Sequence, residues 1–270
     1  MASDNLGVDL VVEGVSGEGQ TGAVFVRWPD GDSRVLTLMP HRSDAHGTDA
    51  AVVTRVLAGR GTPVPAIDHV IAAPIGHIWV QRRLPGRPVR FVCLRVLDQA
   101  LWLNEQHAGA LVDHHDVGLV PLYLTGSGNG FCHHQTLRGH SRRSARIESW
   151  VRAVGRAFPE PLAGEDAVHF DFHPGNMLAD GSDIVGVVDW GGAGRGDCRF
   201  DIVTFRFSLM AISAAGEVIE RLDALLDQFP DDILLRCWAH MSLRMTDWSI
   251  RHFSDEETER WMDIAEQRIT

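Results

Sequence analysis

Val168-His169-Phe170-Asp171-Phe172-His173-Pro174-Gly175-Asn176-Met177-Leu178, followed shortly by Ile184-Val185-Gly186-Val187-Val188-Asp189-Trp190, is the stretch on which the reading of this chain turns. Pro174 and Gly175 favour a turn, which brings Asp171 and Asn176 towards one another. The apolar run at 184–188 suits a strand that delivers Asp189 at its end. Three polar side chains thereby converge. Such a set suits phosphoryl transfer, in which a carboxylate orients an attacking hydroxyl and accepts its proton. An amide oxygen and a second carboxylate are hard ligands of the kind magnesium prefers. Loop caps and turn closures would explain each residue singly, but not their joint spacing.

Upstream, residues 9–15, 22–28 and 33–39 read as strands joined by turn-forming residues, with a glycine-containing hairpin at 14–22. A helix follows at 48–58, stopped by Gly59-Arg60-Gly61, and strands at 70–75 and 77–81 complete a small sheet. The polar, breaker-rich crossing at 81–88 is the candidate boundary between an N-terminal unit, 1–81, and a C-terminal unit, 82–270. Beyond it the apolar period becomes helical, at 92–110, 142–158, 216–229, 231–248 and 255–269. The Gly- and His-rich stretch 114–140 shows little period and reads as loop.

The 270 residues carry 25 basic side chains, all arginine, against 36 acidic ones, a formal net charge of -11. That balance argues against a nucleic-acid-tracking surface and suits a cationic small partner. No stretch reads as an export signal or membrane span, so no membrane partner is expected. Cys93, Cys132, Cys198 and Cys237 lie far apart, as expected of reduced thiols and a cytoplasmic protein. Cys132 with His133, His134 and His140 matches no compact zinc spacing and reads as a loop cluster. Nothing in the sequence sets an oligomeric state.

The H-x-D-x-x-x-x-N run, the later strand ending in Asp189-Trp190, and Gly194-Arg195-Gly196-Asp197-Cys198-Arg199-Phe200-Asp201 together resemble the aminoglycoside phosphotransferase family, kinase-like enzymes that act on small molecules. The resemblance implies an α+β, bilobal protein-kinase-like fold, with a small sheet-bearing N-lobe and a larger, mainly helical C-lobe. It also implies ATP or GTP with Mg2+ as cofactors. By residue matching, Asp171 is the catalytic aspartate, Asn176 and Asp189 hold magnesium, and His169, Asp197 and Asp201 support the loop structure. Ser16, Gly17, Gly19 and Gln20 in the first hairpin fall where phosphates are contacted, and Gln81 and Arg83 where the base is bordered.

The match has one gap. The family places a phosphate-contacting Lys on the third strand and a paired Glu on the next helix; here Thr37 and the neighbourhood of Asp49 stand there. Arg34 and Arg42 are the nearby cations, but Arg34 and Thr37 point to opposite faces of a regular strand. The implied function is phosphoryl transfer to a hydroxyl of a cationic small molecule, an aminoglycoside or a peptide antibiotic of the capreomycin and viomycin type. Asp227, Asp231, Asp232, Asp247 and Asp255 are candidate acceptor contacts. A kinase-shaped module that has lost catalysis, and a metal-dependent phosphate hydrolase, are the alternative readings.

Overall fold

Runs rich in Val, Phe and Ile, broken by turn residues, build the first layer. In the computed structural model, which describes residues 7–16, 22–40, 46–74 and 76–269, they become β1 (Val11–Ser16), β2 (Ala23–Arg27), β3 (Ser33–Pro40), β4 (Ile67–Ala73) and β5 (Gly76–Arg82). These strands pair antiparallel in the order β1-β2-β3-β5-β4. Helix α1 (His46–Gly59) lies between β3 and β4 in the chain and buries Ala50, Val53 and Leu57. It ends where Gly61 takes a positive φ of 84° and the Thr62 amide returns to the Leu57 carbonyl.

The register fixes which β3 side chains share a face. Thr37 lies opposite Trp79 and Met39 opposite His77. Met39 reaches the Trp190–Gly192 turn, since a Cβ on Gly191 would come within 2.8 Å of its sulfur. Thr37, two residues before Met39, therefore projects from the side of the sheet that faces this turn.

After the sheet come β6 (Arg87–Pro88) and β7 (Phe91–Val92), then β8 (Asp166–Val168), β9 (Met177–Asp180), β10 (Asp183–Val187), β11 (Gly194–Gly196) and β12 (Ser213–Ala214). They form three small sheets: β10-β9-β6, β11-β8 and β12-β7. The crossing is pinned at Gly86, whose φ is 93° and where a Cβ would meet Val185 Cγ2 at 2.8 Å and the Ala179 carbonyl oxygen at 2.9 Å. Glycine is required there on both counts.

The helices are α2 (Leu94–His107), α3 (His134–His140), α4 (Arg142–Ala157), α5 (Arg199–Ser208), α6 (Gly216–Leu226), α7 (Asp231–His252) and α8 (Asp255–Glu266). Capping boxes at Ser141/Ser144 and Ser254/Glu257 set the starts of α4 and α8. Two of these elements depart from the sequence reading. The 114–140 stretch ends in a helical turn, α3, anchored by buried His134 and Leu137. Helix α5 has no counterpart in the periodicity, because residues from Phe200 to Phe207 are all buried and no polar face marks a helical period.

One core runs from Trp79 and Leu57 through Phe172 and Trp190 to Phe200, Phe205 and Trp238, and so joins sheet and helices. A second, built around Leu137, Ile147, Val151, Leu243 and Met262, lies among α3, α4, α7 and α8. The architecture is the expected bilobal, protein-kinase-like α+β fold. No helix among the described residues is long and apolar enough to cross a membrane.

Candidate active site

The short β8–β11 pair, with Val168 opposite Gly194, launches the segment that carries Asp171. Its first residue, His169, is fully buried. His169 Nε2 lies 2.9 Å from the Val188 carbonyl, which can only accept, while Nδ1 accepts from the Asp171 amide at 3.2 Å. These partners fix the neutral Nε2–H tautomer. Burial pushes the imidazole pKa down to about 4, against the opposing pull of Asp201 and Asp171. His169 thus serves as a brace between two loops and cannot act as a cation near neutral pH.

Asp201, on α5 and fully buried, sits beneath the loop. Its carboxylate accepts from the His169 amide at 2.8 Å and the Phe170 amide at 3.0 Å. Phe170 itself is left-handed, with φ 70°, a conformation that costs a non-glycine residue about 1–2 kcal/mol. The Asp201 bond therefore helps to hold a strained residue directly before Asp171.

Asp171 is partly exposed, and four side chains surround it. Arg244, from α7, donates to Oδ1 at 2.6 Å and to the Phe170 carbonyl at 2.7 Å. Asn176 Nδ2 donates to the Asp171 carbonyl at 3.0 Å and reaches Oδ2 at 3.3 Å. His173 caps the Pro174–Asn176 turn by accepting from the Gly175 amide, which leaves its Nε2 3.5 Å from Oδ2. His169 lies beneath. Desolvation alone would raise the Asp171 carboxyl pKa; the Arg244 guanidinium, with His173 and His169, outweighs it and holds the group well below the usual carboxylate range.

Strand β10 delivers Asp189 as expected, and two bonds bind that strand end to the loop. The Val188 amide donates to the Asn176 carbonyl at 2.9 Å, and the Val188 carbonyl takes the bond from His169. Asp189, exposed and left-handed at φ 65°, begins the Trp190–Gly192 turn. The residues fit a magnesium ion on the chemistry of their donors. Asn176 commits its NH2 group to Asp171, which leaves its carbonyl oxygen as a hard ligand, and Asp189 offers a carboxylate of the same kind. Among the described residues no group of three or more His, Cys, Asp or Glu side chains could hold a metal. Magnesium commonly takes only one or two carboxylate ligands from a protein and keeps its other positions for phosphate and water.

The other sequence candidates divide. Asp197 is bonded to Arg199, with its oxygens 2.6–3.1 Å from that residue's donors, so it organises the start of α5. Gln81 is buried in β5, opposite Val35. Arg83, just past the sheet, lays its guanidinium 4.2 Å from the centre of the Phe25 ring. Ser16 ends β1 opposite Ala23. Gly17, Gly19, Gln20 and Arg42 lie outside the described residues. Arg34 does not replace the missing lysine: it is buried, bonded to Asp68 at 2.6 Å, and flanked by Asp30 and Asp32. Asp49 accepts from the Gly118 amide at 3.2 Å.

The acidic acceptor candidates are spread through the helical lobe. Asp231 and Asp232 open α7, about 20 Å along the axis from Arg244 at 1.5 Å per residue. Asp227 closes α6 and pairs with Arg268 at 2.8 Å. Asp247 is fully buried and held by Arg251 at 2.8 and 3.0 Å. Asp255 starts α8, beyond the other end of α7. His134, from the loop cluster, bridges Glu148 at 2.9 Å and the Tyr123 carbonyl at 3.0 Å. Arg244 and His173 are not among the sequence candidates: His173 has a local signal in its place beside Pro174-Gly175, whereas Arg244 lies inside a helix 73 residues away from Asp171 with none.

The fold is that of a kinase-fold phosphotransferase. The chain belongs to the phosphotransferase enzyme family, whose model matches residues 12–239. Among solved structures it is similar to a thermostable mutant of aminoglycoside phosphotransferase APH(4)-Ia, in ternary complex with ADP and hygromycin B. That likeness has a TM-score of 0.66 and 17% identity, covering 100% of this chain and 98% of the other. The amicoumacin kinase hAmiN, in complex with AMP-PNP, Ca2+ and Ami, gives 0.66 at 15% identity, over 96% and 88% of the two chains. Macrolide 2'-phosphotransferase MphH from Brachybacterium faecium gives 0.53 at 18%, over 100% and 98%. At such identities the likeness speaks to the fold. No curated protein matches the chain significantly.

Proposed function

We propose that the chain transfers the terminal phosphoryl group of ATP or GTP to a hydroxyl of a cationic small molecule, with an aminoglycoside or a capreomycin-type peptide antibiotic as the acceptor. The observation that supports the reading is the bonding of Asn176 to Asp171, combined with the bonds that tie Val188, the residue before Asp189, to the same loop. Asp171 orients the acceptor hydroxyl and takes its proton. The acceptor oxygen bonds to the terminal phosphorus as the bond from that phosphorus to the bridging oxygen breaks, which releases ADP or GDP. Asn176 and Asp189 hold the magnesium, which when bound neutralises charge on the phosphates. Ser16, Gly17, Gly19 and Gln20 are the phosphate contacts in this reading, and Gln81 and Arg83 border the base. The net charge of -11 supports a cationic acceptor by raising its local concentration.

Mass spectrometry of a cationic acceptor panel incubated with magnesium and ATP tests the reading. Gain of one phosphoryl unit on an acceptor is the expected result, lost by orders of magnitude in Asp171→Ala while nucleotide binding persists. Thr37, in place of a lysine, favours a second reading as a catalytically silent kinase-fold module. Saturable nucleotide binding without acceptor-dependent turnover would select it.

A further inference from the structure

Position 37 offers the nucleotide no cation, and Arg34 is enclosed by acids, yet the Asp171 loop has a guanidinium built against it from α7. Arg244 is only one-fifth exposed and touches two consecutive residues, the carbonyl of strained Phe170 and the carboxylate of Asp171. The Phe170–Asp171 link is thus gripped twice: Asp201 takes the Phe170 amide and Arg244 its carbonyl. A lysine would hold the two oxygens less firmly, since the planar fork keeps its donors in fixed directions while an ammonium is a rotatable point charge.

The other contacts of Arg244 lead to the loop before α3. Its guanidinium carbon stands 5.7 Å from the ring centres of both Phe131 and Phe170. Phe131 packs edge-on against Tyr123 at 5.2 Å, and the Tyr123 amide donates to His240, one turn before Arg244 on α7. Farther along the helix, Arg251 reaches the Gly130 carbonyl at 3.3 Å. The loop carrying Phe131 is therefore fastened to α7 on both sides of Arg244.

Resting on the proposed phosphotransfer, we infer that Arg244 is the positioning residue that fixes the Asp171 carboxylate, and that Phe131 holds Arg244 in place, so that the 123–132 loop sets the geometry of the reacting group. Arg244 acts through the Asp171 carboxylate that it binds. Its loss acts on the rate of the chemical step, not on nucleotide affinity.

Arg244→Gln, Arg244→Lys, Phe131→Leu and the double variant Phe131→Leu/Arg244→Gln are compared with wild type by nucleotide calorimetry and acceptor-dependent kinetics. Arg244→Gln is expected to lower kcat about 100-fold, the scale of a misplaced reacting group, with the Kd for magnesium nucleotide within about twofold of wild type. Arg244→Lys falls between, and decides the matter should the Gln variant fail to fold. Phe131→Leu lowers kcat less, and the double variant is no slower than Arg244→Gln alone, because both act along one path. A kcat near wild type in Arg244→Gln, a loss confined to nucleotide affinity, or fully additive effects overturns the inference. Wild-type protein that binds nucleotide but phosphorylates no acceptor overturns the parent reading and this inference together.

Discussion

Replacing Asp201 with Ala tests how the loop is held. The carboxylate is fully buried and serves two buried backbone donors, the His169 amide at 2.8 Å and the Phe170 amide at 3.0 Å. Leaving a buried donor unsatisfied costs about 1–3 kcal/mol, so two orphaned amides cost about 2–6 kcal/mol. Water entering the space left by the shortened side chain would recover part of this, which places the expected loss near 3 kcal/mol. It falls on a segment already strained at Phe170, so the loop opens before the rest of the helical lobe. Hydrogen exchange measured amide by amide should show protection at His169 and Phe170 reduced by about 100-fold, since 1.4 kcal/mol corresponds to a factor of ten. Amides of α7 should be much less affected. Unchanged exchange at His169 and Phe170 would refute the view that Asp201 is what anchors the loop.

The other expectations concern protons and thiols. His169 has a pKa of about 4 when folded and near 6.5 when unfolded, so the unfolded chain takes up a proton first as pH falls. Stability from this residue is therefore intact above pH 6.5 and lost progressively towards pH 4, to a total of about 3 kcal/mol. Denaturant titrations at pH 7 and pH 4.5 should show a steeper loss in wild type than in His169→Gln; equal slopes would count against the assignment. Burial pushes the Cys132, Cys198 and Cys237 thiols well above their ordinary value, whereas Cys93 is only partly buried. Under native conditions an alkylating reagent followed by peptide mapping should label Cys93 first, and rapid labelling of Cys237 would contradict the packing around it.

How much was legible follows from the range of each interaction. The turn at Pro174-Gly175 and the apolar run before Asp189 are local: proline and glycine restrict or free their own dihedrals, and a strand of β-branched residues needs only a sheet to join. Asp171, Asn176 and Asp189 could be singled out together on that basis, as could the five strands of the first sheet. Helix α5 could not, because the period-reading argument needs a solvated face and α5 has none.

The sequence by itself singled out Asp171, Asn176 and Asp189 as one candidate set, since side-chain type and short-range turn geometry are properties of the local chain. Only the tertiary structure decided what holds them. Arg244 meets Asp171 because α7 packs against the loop, Arg34 is withdrawn because Asp68 lies across the neighbouring strands, and Asp247 is covered by Arg251. An arginine in a helix and an arginine in a strand look alike as letters. Whether each finds a carboxylate is settled by packing between elements distant in the chain, where a buried charge must be paired and every partner is chosen by position.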